Sequence, residues 1–239
     1  MRLNQIIASA GLTSRRKADE WITAGRVSVN GSPVRKLGTK AVWGTDSIMV
    51  DGKEIPGPSE RIYVMMNKPF GYICALEEPE GRRLVTDLLE GISTRIYPVG
   101  RLDFDSLGLL LLTNDGQLTN RLTHPRYGLP RTYKATIEGS ISDEALKKLT
   151  RGVNLDDGPS GPSKVAVVSR KGRQSVVRIT ITQGRNRQVR RMISAVGYDV
   201  VHLIRTGFGT LMLGDLKLGR YRHIEDQELR DLKRLVGLK

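Results

Sequence analysis

The chain has 239 residues, and its 39 lysines and arginines outnumber 25 acids to leave a formal charge of +14. That length allows a sizeable core in one or two domains, and the positive surplus favours a polyanionic partner, most commonly nucleic acid. One cysteine, three scattered histidines and no long apolar run exclude a disulfide framework, a cysteine-rich zinc site and a membrane-spanning helix.

The N-terminal block MRLNQIIASAG is too short in apolar residues for a secretory signal, so a cytoplasmic protein is expected. Leu3, Ile6 and Ile7 predict a short amphipathic helix that Gly11 ends. Thr13 or Ser14 can cap a second helix with Ala18, Trp21 and Ile22 on its apolar face, stopping near Gly25. RVSVNGSPV then alternates, and its Asn30-Gly31 pair supplies the positive φ angles of a tight hairpin. SIMVDGKEI reads as a further strand, and Pro56-Gly57-Pro58-Ser59 as a linker. Residues 1–60 therefore form a separate unit, with 61–239 as the second. Arg15, Arg16 and Lys17 cluster at the start of the second helix, as a solvated face or as phosphate contacts.

The stretch LNQIIASAGLTSRRKADEWITAGRVSVNG resembles the small RNA-binding domain named after ribosomal protein S-four. That resemblance implies shape-guided binding to structured RNA through phosphate and sugar.

From Arg61 onward longer strands dominate. RIYVMMNKP is a strand stopped by Pro69, and Leu109–Leu112 is a buried one, with Asn114-Asp115-Gly116 read as the hairpin turn that reverses it. RTYKATIEG, Arg131 to Gly139, is a strand, and SDEALKKLTRGV a helix capped by Ser142. SVVRITITQG places Val177, Ile179 and Ile181 on one face. The fold class is α+β: a small N-terminal α/β RNA-binding unit, then a domain on a largely antiparallel mixed sheet.

In QGRNRQVRRMISAVG, Val189, Met192, Ile193 and Val196 make the core stripe of a helix, with Asn186 placed to cap it and Gly197 to end it. Arg187, Arg190 and Arg191 then crowd its first turns, and Arg185 stands just outside. Like charges at that spacing repel and load the positive end of the helix dipole, so an anion is expected to dock there: RNA phosphate or a buried carboxylate. Asp103, beside Arg101 at the mouth of the Leu109–Leu112 strand, could be that carboxylate or a plain loop acid. Asp105 is the weaker candidate.

GRLDFDSLGLLLLTNDG, with NKPFG, RTYKATIEG, GVNLDDGPSGP and GRNRQVRRM, resembles the ribosomal-RNA pseudouridine synthases of the RsuA and RluB branch, in order along nearly all of Arg61–Arg220. The resemblance implies the pseudouridine synthase fold and isomerisation of a flipped-out uridine without metal or cofactor. It implies Asp103 as the attacking residue, by a ribose adduct or a glycal route. Tyr133 is implied as the tyrosine against the base that takes part in removing the carbon-5 proton, and Arg190 as the basic partner of the aspartate. Arg101, Arg185, Arg187 and Arg191 join Arg15, Arg16 and Lys17 as expected RNA contacts. GRNRQVRRM is closer to the large-subunit enzymes, so 23S rRNA is expected over 16S, with a monomeric enzyme. A non-catalytic rRNA-binding or assembly factor on the same fold is the rival reading.

Overall fold

A computed structural model describes residues 1–238, in two compact units. The first unit comprises Met1–Ile62 and Ile92–Arg95, the second Tyr63–Gly91 and the chain from Ile96 onward.

In the first unit, α1 (Leu3–Ser9) and α2 (Arg15–Thr23) bury Leu3, Ile6, Ile7, Ala18 and Ile22 in one small core with Val27 and Ile48. Ser14 caps α2, its hydroxyl accepting the Lys17 N–H at 3.1 Å. The strands β1 (Val27–Val29), β2 (Ser32–Val34), β3 (Ile48–Val50) and β4 (Lys53–Glu54) form one sheet in the order β2-β1-β3-β4. Asn30 and Gly31 have φ of +51° and +79°, the pair of positive angles that reverses a two-residue hairpin. Asp51 and Gly52 repeat them at +51° and +75°, so SIMVDGKEI folds as a second hairpin and not as the single strand its alternation suggests.

The second unit opens with β5 (Tyr63–Lys68), the short β6 (Tyr97–Pro98) and β7 (Ser106–Thr113). Leu109 to Leu112 are fully buried, which explains a run without polar alternation: both faces of this strand are covered. Each such leucine contributes roughly 2 kcal/mol of apolar burial. The chain then enters α3 (Gly116–Thr123), where a hairpin was expected. The Asp115 carboxylate accepts the Gln117 and Leu118 N–H groups, both at 3.0 Å, making it a helix cap. Leu118 and Leu122, one turn apart, bury against Met65, Leu109 and Leu111 and so favour the helix over the turn.

Next come β8 (Arg131–Glu138), α4 (Asp143–Arg151) capped by Ser142, and a small hairpin of β9 (Asn154–Leu155) and β10 (Gly158–Pro159). β11 (Lys164–Lys171) and β12 (Gln174–Ile181) follow, with Val177, Ile179 and Ile181 on the buried face as their alternation requires. The remaining elements are α5 (Gln188–Ser194), β13 (Val200–Phe208), β14 (Leu211–Met212), β15 (Tyr221–His223) and α6 (Asp226–Leu235).

The main sheet runs β11-β12-β8-β13-β7-β5-β15 and is antiparallel except where β13 lies parallel to β7. At that parallel junction Gly108 has φ of +103°, and a Cβ there would fall 2.2 Å from the carbonyl oxygen of Arg205. Only glycine lets these two backbones approach so closely.

Candidate active site

A cavity of about 250 Å³ opens where the loop before β7, the start of β8, β13 and the first turn of α5 meet. Asp103, Tyr133, Arg131, Arg187 and Arg205 are among the side chains that line it. The sheet register explains their convergence. Tyr133 of β8 stands opposite Arg205 of β13, and Ser106 of β7 opposite Leu203, so the strands carrying the tyrosine and following the aspartate both flank β13.

Asp103 lies in a tight turn, its carbonyl accepting the Ser106 N–H at 3.1 Å, where an extended segment was expected. Among the described residues its carboxylate makes no ion pair, yet its charge is felt by Lys68, Arg187 and Arg190. Arg101 is exposed at the cavity mouth. Tyr133 is buried and faces the cavity.

The arginines of α5 are held by two carboxylates, and neither is Asp103. Arg187 grips Asp105 with both guanidinium nitrogens, at 3.0 and 2.9 Å. Arg190, which the resemblance pairs with Asp103, lies 3.2 Å from the same Asp105 carboxylate and donates to the carbonyls of Asp105 and Val200 at 3.1 and 3.0 Å. The 103–106 turn explains the exchange: it carries Asp105, the acid ranked weaker in the sequence, across to α5 and leaves Asp103 at the cavity. Partial burial would raise the Asp105 carboxyl, but the Arg187 hydrogen bonds and the Arg190 charge outweigh it and hold it below its ordinary value. Burial lowers the Arg190 guanidinium against the pull of Asp105, without threatening its charge.

Arg191 and Arg185 turn instead to Asp157 in the β9–β10 hairpin. Arg191 binds it bidentately at 2.9 Å, and Arg185 bonds to its carboxylate at 3.1 Å and to the carbonyls of Asp157, Gly158 and Pro159. The Arg191 hydrogen bonds chiefly, with Arg185, lower the Asp157 carboxyl to about 2. Both arginines thus have their donors engaged within the protein, and the geometry adds no support to reading them as RNA contacts. The anion expected at this helix start is supplied twice over, by carboxylates of the chain itself.

Asn186 does not cap α5. Arg187 takes the cap position in the left-handed region, at φ of +46°. A non-glycine residue there costs on the order of 1 kcal/mol, and the bidentate Asp105 contact holds it in place. Gln188 closes the entry to the helix, accepting the Arg185 N–H at 3.0 Å and donating to the Ser160 carbonyl at 3.1 Å.

Two buried cations escaped the sequence reading. Lys68, fully buried, donates to the carbonyls of Pro69 and Ser106 at 3.0 and 2.9 Å, pinning the strand that follows Asp103. Burial lowers its ammonium pKa, against the opposing charges of Cys74, Asp103 and Asp105. Its signal was the NKPFG segment, where a lysine ends an apolar strand. Arg205 donates to the Leu109 carbonyl at 2.7 Å and lies 5.1 Å over the Phe208 ring, which Arg131 approaches at 5.7 Å. No sequence signal separates it from an exposed strand arginine.

In the first unit, Arg15 and Arg16 are exposed on the opening turn of α2, and Lys17 pairs with Glu20 at 2.9 Å. Among the described residues no group of three His, Cys, Asp or Glu could hold a metal, and no helix is long and apolar enough to cross a membrane.

The sequence pattern of the RNA pseudouridylate synthases matches residues 62–195, and that of the S4 domain residues 1–41. A ribosomal large subunit pseudouridine synthase B of Bacillus subtilis is 44% identical across 98% of this chain and 96% of its own. An uncharacterised RNA pseudouridine synthase of Aquifex aeolicus is 41% identical across 100% and 96%. A crystal structure of a pseudouridylate synthase superposes with a TM-score of 0.70 at 30% identity, over 97% of this chain and 99% of that one. The chain belongs to the RNA pseudouridylate synthases, isomerases of RNA uridine, and carries an S4 domain at its N-terminal end.

Proposed function

We propose that this enzyme converts a uridine of 23S rRNA to pseudouridine, with Asp103 attacking the nucleotide. The convergence of Asp103 and Tyr133 on one cavity, from segments thirty positions apart in the chain, carries the reading. Residues 1–60 serve as RNA-binding module and linker, and 61–239 as catalytic domain.

A uridine within a helix must leave its stack to present the glycosidic bond, at a cost of a few kcal/mol that phosphate contacts offset. In this role Asp103 acts as a carboxylate. The bond from ribose to N1 breaks, uracil turns in the cavity, and a bond to carbon 5 replaces it. The carbon-5 proton leaves with Tyr133 at the base, and N1 gains one, so no co-reactant is consumed. Asp105 has a different task, holding Arg187 and Arg190 beside the cavity. Arg101, Arg15 and Arg16 are proposed phosphate contacts. The Bacillus subtilis relative's name and the GRNRQVRRM stretch support the large-subunit RNA.

Incubation with protein-free 23S and 16S transcripts, followed by carbodiimide labelling and primer extension, tests this. One new stop in 23S rRNA, absent with Asp103→Asn, is expected. A stop in 16S rRNA alone overturns the substrate, and no stop in either RNA or in modification-free ribosomal particles overturns the enzyme reading.

A further inference from the structure

The chain has only three phenylalanines. Phe208 is buried under the cavity, but Phe70 is 60% and Phe104 48% exposed. The two exposed rings touch, with centroids 5.4 Å apart and planes at 62°. They come from different loops, Phe70 from the turn after β5 and Phe104 from the residue that follows Asp103.

A single exposed phenylalanine needs no explanation. This pair differs, because its position is built. The Gly71 N–H donates to the Phe104 carbonyl at 3.0 Å, which ties the two loops together, and Gly71 turns the chain there at φ of +82°. Edge-to-face packing fixes both rings while leaving aromatic surface open to solvent. The unit's other large apolar side chains that are comparably open to solvent, Val168, Met212, Leu218 and Leu235, are aliphatic, and its third phenylalanine, Phe208, lies in the core.

We propose that Phe70 and Phe104 form a stacking platform for an unpaired RNA base next to the target uridine. This rests on the reading of the cavity as the uridine site. Phe104 adjoins Asp103 in the chain, so a base beside the one in the cavity comes within reach of the ring. Exposed Arg101 at the same cavity supplies positive charge for a phosphate that links the two nucleotides. A flipped uridine breaks the stack on both of its neighbours, and an aromatic face restores one of those contacts. Flat rings take any base, so the platform selects for an unpaired neighbour and not for a particular letter.

The test uses a synthetic hairpin around the uridine mapped in the rRNA experiment, together with two hairpins in which the 5′ or the 3′ neighbour is abasic. Binding is measured by fluorescence anisotropy in the Asp103→Asn background, and turnover separately in the wild-type background. The Phe70→Ala/Phe104→Ala pair should weaken binding of the intact hairpin about tenfold. It should have no effect on one of the two abasic hairpins, and Phe104→Tyr with Phe70 intact should restore wild-type affinity. Unchanged binding of the intact hairpin, or an equal loss on all three RNAs, overturns the platform. So does loss of a concentration-dependent dimer in the alanine variant by sedimentation, which would assign the rings to a contact between copies. If the wild-type enzyme converts the uridine yet the phenylalanine variants bind normally, this inference alone falls. If it converts no rRNA uridine, the function falls and the platform with it.

Discussion

Arg190 meets Asp105 twice, through the carboxylate at 3.2 Å and through the main-chain carbonyl at 3.1 Å, while Arg187 takes the same carboxylate bidentately. One acid thus anchors two arginines beside a second acid, Asp103, that has no ion pair of its own among the described residues. On the proposed mechanism the two acids divide the labour: Asp105 organises charge, and Asp103 reacts.

Asp103→Asn keeps the shape and removes the attacking oxygen's charge. Turnover should fall by at least about a thousandfold. RNA affinity should stay within about twofold, since phosphate contacts dominate it. Single-turnover kinetics and anisotropy on one RNA separate the two.

Asp105→Ala should behave otherwise. It leaves the half-buried Arg190 without its carboxylate and should cost about 1–2 kcal/mol in urea unfolding, at the low end for a broken pair because Arg187 is substantially exposed. Turnover should drop roughly 10- to 100-fold through lost positioning. A fall as deep as that of Asp103→Asn would assign the attacking role to the wrong acid.

The Asp157 clamp gives a pH signature. Its carboxyl is lowered in the folded chain to about 2, from about 3.9 when unfolded. Its stabilisation is therefore full above the unfolded value and is lost as pH falls through the folded one. The difference in urea midpoint between wild type and Asp157→Asn should be constant from pH 7 to about 5 and vanish towards pH 2. A difference that persists undiminished at pH 2 would contradict the clamp.

Arg15→Ala and Arg16→Ala should weaken RNA binding alike for all sequences tested. Each should reduce the slope of log affinity against log salt by about 0.7 to 1. An unchanged slope would return these residues to a merely solvated face.

Leu111→Ala empties part of the core between β7, α3 and α6 and should cost about 3 kcal/mol, measured by denaturant unfolding. Because Leu111 is not among the residues that line the cavity, KM at a temperature well below the transition should hold.

Much of this was legible locally. Asn30-Gly31 announced its hairpin because few dipeptides adopt positive φ at two successive positions without strain. Ser14, Ser142 and the apolar stripe of α5 likewise carry their own instructions. Asp115-Gly116 misled for the same reason: the dipeptide suits a turn or a helix start equally, and burial of Leu118 and Leu122 decided between them. Which acid would hold Arg190 depended on a turn that pairs residues 85 positions apart, beyond any local pattern. Lys68 and Arg205 were hidden because a charged side chain in a strand reads as exposed until its carbonyl partners are known.

Strand order has one more consequence. β13 sits between β8, which bears Tyr133, and β7, which follows Asp103. It is made after both, so a nascent chain on the ribosome that ends before Val200 has the aspartate and the tyrosine but no strand to bring them together. The positively charged S4 domain emerges far earlier. On the proposed reading, a fragment released before Val200 should therefore bind RNA without modifying it.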